Sequence, residues 1–408
     1  MDAMVNIIDW MDEHSQLHVV WYVKRLAAND TMASGGHQAG PYISKDFLLK
    51  VFPSLTEPGA ENPDKKFELR IDSHADVREV RAVYYNNKFR GGTRDEARLT
   101  KFGGSNSPLL DPDSTGALVV FAFHRIENSD ALVCHAWVCD DDEADLVEER
   151  IGTIEPGKWR IWNIGDDKRG LAPSSMDSSC WLKTYEIPAT WATKFPDVDE
   201  IIRKTIELRA DHDKTPDVRL MRRRECEFEI FRSIEEAIEL PTIRQGFTTI
   251  SEFIGCAQTI LQRRKVRSGR SLELHIRKIF IEEQLHEGSD FSYQPESDVG
   301  TGKRPDFLFP SQAAYQDISF PANRLRMLAV KTTCRDRWRQ IINEASRIRK
   351  KHLLTLQEGV SEKQFQEMTE AGVQLVVPAQ LKNAYPATIQ QHLQTLESFI
   401  GDVRLLSA

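Results

Sequence analysis

The sequence predicts two domains, a β-rich barrel-like one followed by an α/β one, and three observations carry that expectation. At 408 residues the chain exceeds one ordinary domain and can bury two cores. Its first 170 or so residues hold short apolar runs separated by turn signals. Beyond a stretch poor in large apolar side chains, helical periodicities begin to alternate with short strands.

In chain order, strands are expected over Leu17–Leu26, Glu79–Tyr85, Ala117–Phe123 and Ala131–Cys139. Turns are expected at Ser34-Gly35-Gly36, Gly91-Gly92, Gly103-Gly104 and Asp111-Pro112-Asp113. Several short strands with long loops favour a barrel over a parallel sheet. The run Leu171–Ser179 reads as a linker, rich in small polar residues. This divides the chain into an N-terminal domain at 1–172, a linker at 173–183 and a C-terminal domain at 184–408. Apolar residues three and four apart predict helices over Asp197–Arg209, Glu225–Leu240 and Leu272–Leu285. Strands follow at Asp306–Phe309 and Leu325–Thr332, then a helix at Arg337–Lys350. A strand at Leu353–Leu356, a helix at Glu362–Glu370 and a strand at Val373–Val377 close the α/β core.

Hydrophobic residues make up 40% and charged residues 28%, as in a soluble globular protein. No apolar run is long enough to span a bilayer, and Met1-Asp2-Ala3-Met4 lacks the basic-then-apolar pattern of an export signal. Six cysteines, at 134, 139, 180, 226, 256 and 334, show neither a CxxC pair nor zinc spacing. Free thiols in a reducing cytoplasm are therefore expected. The net charge of -8 is unevenly spread. Acids concentrate between Asp140 and Glu149, bases between Arg263 and Arg270 and again between Lys331 and Lys351, where eight Lys/Arg face two acids. A basic face on an acidic protein can hold phosphates, although such runs are more often solvated helix faces.

The strongest chemical signal is Arg304-Pro305-Asp306-Phe307-Leu308-Phe309 followed by Leu328-Ala329-Val330-Lys331-Thr332. Asp306 begins one strand and Lys331 ends the other, 25 positions later. A carboxylate and an ammonium converging at one sheet edge suit metal-assisted phosphodiester hydrolysis. The carboxylate holds a hard cation and the lysine positions or deprotonates water. A second carboxylate is needed; Ala329 occupies the usual place two residues before the lysine. Glu344 on the following helix is the stronger candidate, and Glu273, on the helix before the sheet, another. Singly, each of these is more often a turn or surface charge.

Next comes Cys334-Arg335-Asp336-Arg337-Trp338-Arg339. Arginine can read guanine by two hydrogen bonds and aspartate can accept from cytosine, so Arg335, Asp336 and Arg337 are candidates for base reading; the plain alternative is a capped helix start. In the N-terminal half, Lys88, Arg90, Arg94, Glu96 and Arg98 form a loop-like stretch of mixed sign. With Lys24, His37 and Tyr42 they could make two arms around a duplex, or a hairpin with solvated charges.

Beyond these readings, the chain resembles the EcoRII-type restriction endonucleases over essentially its whole length. The segments Arg304–Pro310, Met327–Cys334 and Asp336–Gln340 resemble that family's active-site and recognition segments. Asn29–Thr31, Gly35–Gln38 and Asp111–Ala117 resemble its N-terminal effector domain. The resemblance implies a type IIE enzyme that cuts double-stranded DNA at 5′-CCWGG, with W either A or T, before the first C. It implies a homodimer, Mg²⁺ as cofactor, and a companion cytosine methyltransferase that protects the host. The C-terminal domain would have the PD-(D/E)XK restriction-endonuclease fold, with Asp306, Lys331 and Glu344 catalytic and Asp306 and Glu344 on the metal. Tyr315 matches a tyrosine near the site. Arg335 stands where lysine is expected. Arg224 and Phe228 would contact extruded W bases, Phe228 standing where tyrosine is expected. The N-terminal domain would be a pseudobarrel that binds a second copy of the site and blocks the catalytic cleft until DNA arrives. Two other classes stay open on the residues alone: a non-cleaving DNA-binding regulator, and a repair nuclease that recognises DNA structure.

Overall fold

The structure, a computed structural model, describes residues 6–35, 40–57, 59–126, 129–163, 180–296, 304–335 and 337–407. Most of the expected linker, and the candidates His37 and Asp336, lie outside the described residues.

The first strand explains why the N-terminal half reads as apolar runs rather than clean alternation. In β1 (Val19–Arg25), Val20 and Tyr22 enter one core, while Val19, Trp21 and Val23 enter another on the opposite face. A sheet covered on both faces buries both sets, so period two fades from the hydropathy. The remaining strands of this half are β2 (Tyr42–Ile43), β3 (Asp64–Ile71), β4 (Asp76–Tyr85) and β5 (Glu96–Thr100). Then come β6 (Leu118–His124), β7 (Val133–Val138) and β8 (Trp159–Asn163). They form one curled eight-stranded sheet, β2-β5-β4-β3-β7-β6-β1-β8, antiparallel except where β3 meets β7. Helices α1 (Ile7–Glu13) and α3 (Asp141–Ile151) cover the face bearing Trp21 and Trp137. Helix α2 (Lys45–Val51) covers the phenylalanine-rich face. The acidic run is α3: Asp140 and Glu143 form a reciprocal capping box, and the acids of its first turn favour a helix start through the helix dipole.

The second half opens with helices α4 (Ala189–Thr193), α5 (Val198–Leu208), α6 (Pro216–Gln245) and α7 (Ile250–Glu282). Here one expectation is corrected. Cys180 and Cys226 are disulfide-bonded, not free, while Cys134, Cys139, Cys256 and Cys334 are free. The 46-residue separation gives no local signal; the two meet because the segment at 180 packs on α6 in a shared core with Trp191 and Ile230. The basic run Arg263–Arg270 lies on α7, where Arg263 pairs with Glu239 and Arg264 with Glu235 across from α6.

A five-stranded sheet follows, ordered β13-β12-β11-β10-β9. Strands β9 (Ser292–Tyr293), β10 (Phe307–Phe309) and β11 (Arg326–Lys331) are antiparallel, while β12 (Lys351–Thr355) and β13 (Val373–Val376) continue parallel to β11. Helices α8 (Gln312–Gln316), α10 (Glu362–Glu370), α11 (Ala387–Gln390) and α12 (Leu396–Ser407) flank it. Alternate residues of β11 again feed two cores, Met327 and Ala329 one, Leu328 and Val330 the other.

The helix expected over Arg337–Lys350 is corrected. Helix α9 covers only Trp338–Ile341, and the chain then runs in turns, with Ala345 at φ 44°. Side-chain cations hold the turns. Arg347 donates to the carbonyls of Tyr315, Asp317 and Phe320, and Lys351 to those of Glu344 and Ala345. Those bonds fix an irregular backbone that apolar periodicity alone reads as helix.

Candidate active site

Antiparallel pairing of β10 with β11 sets Phe307 opposite Leu328, which brings the residue before β10 beside the last residues of β11. Asp306, 8% exposed, accepts a hydrogen bond at Oδ2 from the Val330 amide (2.6 Å) and another from Lys331 Nζ (3.3 Å). Glu273 comes in from α7, where its carboxylate accepts from Tyr293 Oη (3.2 Å) and Gln294 Nε2 (2.9 Å). Burial, and then the charge of Asp306, raise the Glu273 pKa, while Lys331 and the two hydrogen bonds oppose the shift. Two carboxyl groups sensing each other beside one lysine form an oxygen-donor pair suited to a hard cation. Ala329 is packed into the core, so no carboxylate can come from that position.

The other candidates are placed differently. Glu344 is half-buried in the turn after α9 and does not line the cavity that holds Glu273 and Lys331. Tyr315 is buried in the core with Trp338 and Ile341, and its ring and hydroxyl face Arg347 and Ser346, so it braces the turns that carry Glu344.

The cavity over Glu273 and Lys331 measures about 370 Å³ and is lined from the N-terminal half by Arg25, Asp145, Glu148 and Ile154. Helix α3 lies across its mouth. Arg335 donates to the Cys139 carbonyl (2.8 Å) and lies 3.5 Å from Asp141; Arg337 pairs with Asp145 at 3.2 Å. Deeper in, Glu155 pairs with Arg224 (2.8 Å) and Arg267 (3.0 Å), both of which also contact Glu227. Burial alone would push the Glu155 and Glu227 carboxyls up, but the arginines outweigh it and hold both below the usual range. Phe228 sits under Arg267, 5.2 Å from ring centre to guanidinium. Sequence reasoning missed Glu155 and Arg267, since their partners lie far away in the chain.

In the N-terminal half the two predicted arms meet. Tyr42 on β2 stands opposite Arg98 on β5; its hydroxyl donates to Glu96 (2.8 Å) and the Arg98 guanidinium lies 3.6 Å from its ring centre. Lys24 is committed to Asp30 and the Tyr42 carbonyl, while Lys88 and Arg90 are exposed and Arg94 lies over the Tyr85 ring.

Two family models match the chain: Restriction endonuclease EcoRII, N-terminal, over residues 15–166, and EcoRII C terminal, over residues 231–400. The chain belongs to the EcoRII family. It is 41% identical over 404 residues to the Type II restriction enzyme EcoRII of Escherichia coli, covering 98% of each sequence. As a member of that family it is a restriction endonuclease, a site-specific deoxyribonuclease, with a curled N-terminal sheet domain and a restriction-endonuclease C-terminal domain. Two solved structures are similar to part of the chain. One is metal-depleted Ecl18kI with uncleaved, modified DNA (TM-score 0.43, 19% identity, 55% of this chain and 85% of that one). The other is a complex of the restriction endonuclease PspGI with substrate DNA (TM-score 0.44, 17% identity, 55% and 97%). No described helix is long and apolar enough to cross a membrane.

Proposed function

We propose that this EcoRII-family enzyme is a type IIE endonuclease that hydrolyses both strands of 5′-CCWGG before the first C, and that the conformation described is its autoinhibited one. The observation that carries the reading is that Asp306 pairs with Lys331, which shares a cleft with Glu273 beneath an acidic helix paired with the arginines assigned to base reading. Asp306 and Glu344 would hold Mg²⁺, with Glu273 as a neighbouring carboxylate; the bound cation would neutralise charge developing on the scissile phosphate. Lys331 orients the water that attacks in line, the bond to the 3′ oxygen breaks, and 5′-phosphate and 3′-hydroxyl ends result. Arg335, Asp336 and Arg337 would read the C·G pairs, and Arg224 and Phe228 the W bases.

The domains would divide as 1–172 for the effector, 173–183 for the linker and 184–408 for catalysis. The effector would bind a second copy of the site through Lys24, His37, Tyr42, Lys88, Arg90, Arg94, Glu96 and Arg98. A homodimer fits the near-palindromic site and the exposed apolar tip of the α6–α7 hairpin, where Ile250 and Phe253 are 79% and 54% exposed. The enzyme would work in the cytoplasm beside a companion cytosine methyltransferase.

The test is digestion of DNA carrying several 5′-CCWGG sites, with Mg²⁺ and with EDTA, and sequencing of the ends. Uniform Mg²⁺-dependent cuts before the first C are expected. Scattered cuts would defeat the specificity, and tight binding without cuts would leave a regulator.

A further inference from the structure

On the α1 face of the N-terminal sheet, away from the DNA-binding candidates, three imidazoles converge. His124 ends β6 and His135 lies on β7, and their strands pair so that the two are diagonal neighbours on one face. His14 caps the C-terminus of α1 and reaches over both, its ring centre 4.2 Å from that of His135 and 5.3 Å from that of His124. One donor nitrogen from each of the three lies within 4.8 Å of the others. Asp72, in the turn after β3, accepts from His135 Nδ1 and from Trp10 Nε1, both at 2.7 Å.

We propose that His14, His124 and His135 form a binding site for one transition-metal ion of the zinc class, with Asp72 as the carboxylate that orients His135. Two details of geometry fit a metal; the first is equally a hydrogen-bond distance, so the titration below decides between a metal and a hydrogen-bonded cluster. His14 Nδ1 and His124 Nε2 face each other at 3.2 Å. Two nitrogens at tetrahedral positions around zinc are roughly 3.3 Å apart, as Zn–N distances of about 2.0–2.1 Å require. In addition, an Nδ1–H donated to Asp72 leaves the His135 Nε2 lone pair free, which is the carboxylate–histidine–metal pattern that fixes tautomer and ring direction. Three imidazoles leave a fourth position for water. Imidazole nitrogen selects zinc, cobalt or nickel over Mg²⁺, so the site is chemically distinct from the oxygen donors around Asp306. Its structural effect is to tie α1 to the sheet, and α1 in turn touches α3 through Asp12 and Arg150.

Full-length protein stripped of metal, then titrated with Co²⁺ in the presence of excess Mg²⁺, tests the assignment. A tetrahedral visible band at one equivalent per chain is expected, displaced by Zn²⁺, together with a Zn²⁺-dependent rise in Tm. His124→Gln and His135→Gln should each lose the band and the Tm rise, while Asp306→Asn keeps both. Asp72→Asn should weaken Zn²⁺ binding about 10- to 100-fold without changing stoichiometry. Melting of each variant without metal separates loss of the site from loss of the fold. No band in the wild type, or a band that survives both histidine variants, overturns the proposal. A band lost only in Asp306→Asn places the ion in the catalytic cleft and overturns it equally.

Discussion

Asp306 has two duties that one substitution can separate. Its Oδ2 holds the Val330 amide as well as facing Lys331. Asp306→Ala would strand that buried N–H at a cost of about 1–3 kcal/mol, confusing a chemical defect with a structural one. Asp306→Asn keeps an acceptor and removes the charge. It should lower the cleavage rate by about 10³-fold or more while DNA binding and Tm stay near wild type. The same pair sets a pH dependence. Burial and Asp306 make Glu273 harder to ionise than an ordinary carboxyl, and only its ionised form can serve a cation. The acid limb of cleavage should therefore begin at higher pH than an unperturbed glutamate would give. It should move to lower pH as Mg²⁺ is raised, because cation and proton compete. A limb indifferent to Mg²⁺ concentration would mean that Glu273 does not sense the cation proposed on Asp306 and Glu344.

Helix α3 is the element on which the regulatory proposal turns. Asp141 and Asp145 are 36% and 65% exposed, so each pair is worth about 0.2–1 kcal/mol, and the two together change an opening equilibrium by about 2- to 30-fold. Asp141→Asn with Asp145→Asn should raise cleavage of DNA carrying one site by roughly that factor, measured as initial rate, with a smaller gain on DNA carrying several. An equal gain on both substrates would mean that α3 does not report the second site. The element scale also shows what the sequence could and could not reveal. Asp306 and Lys331 were legible because a polar residue at each end of two short apolar strands is a local pattern. The contacts of α3 were not, because its partners Arg335 and Arg337 lie about 190 residues away. The helix expected beyond Arg337 failed because Arg347 and Lys351 bind main-chain carbonyls, a tertiary effect that outweighs apolar spacing.

Across the whole molecule, the two halves meet in a close joint as well as in charge pairs. Gly359 has φ +108°, and a Cβ there would lie 2.3 Å from that of Ala28; the Ala28 amide donates to the Glu358 carbonyl at 2.7 Å. Of the acids that the N-terminal half sends to arginines of the other half, Glu155 is less exposed than Asp141 and Asp145, and Arg224 and Arg267 keep Glu227 when it is neutralised. Glu155→Gln should therefore weaken closure by about 2–3 kcal/mol, below the full cost of breaking a buried pair, and raise single-site cleavage more than the α3 double variant does. Unchanged activity on single-site DNA would mean that Glu155 only stabilises the fold.

On the proposed autoinhibited reading, α3 competes with DNA for Arg335 and Arg337. Duplex reaching Arg335 and Arg337 exchanges one anionic partner for another, and so releases fewer small ions than the same contacts made from open solvent. Binding by this enzyme should then fall less steeply with added salt than its number of arginine contacts would imply, since salt loosens the resident helix as well as the arriving strand. A soluble polyanion, by the same logic, should behave as a weak activator before it behaves as an inhibitor.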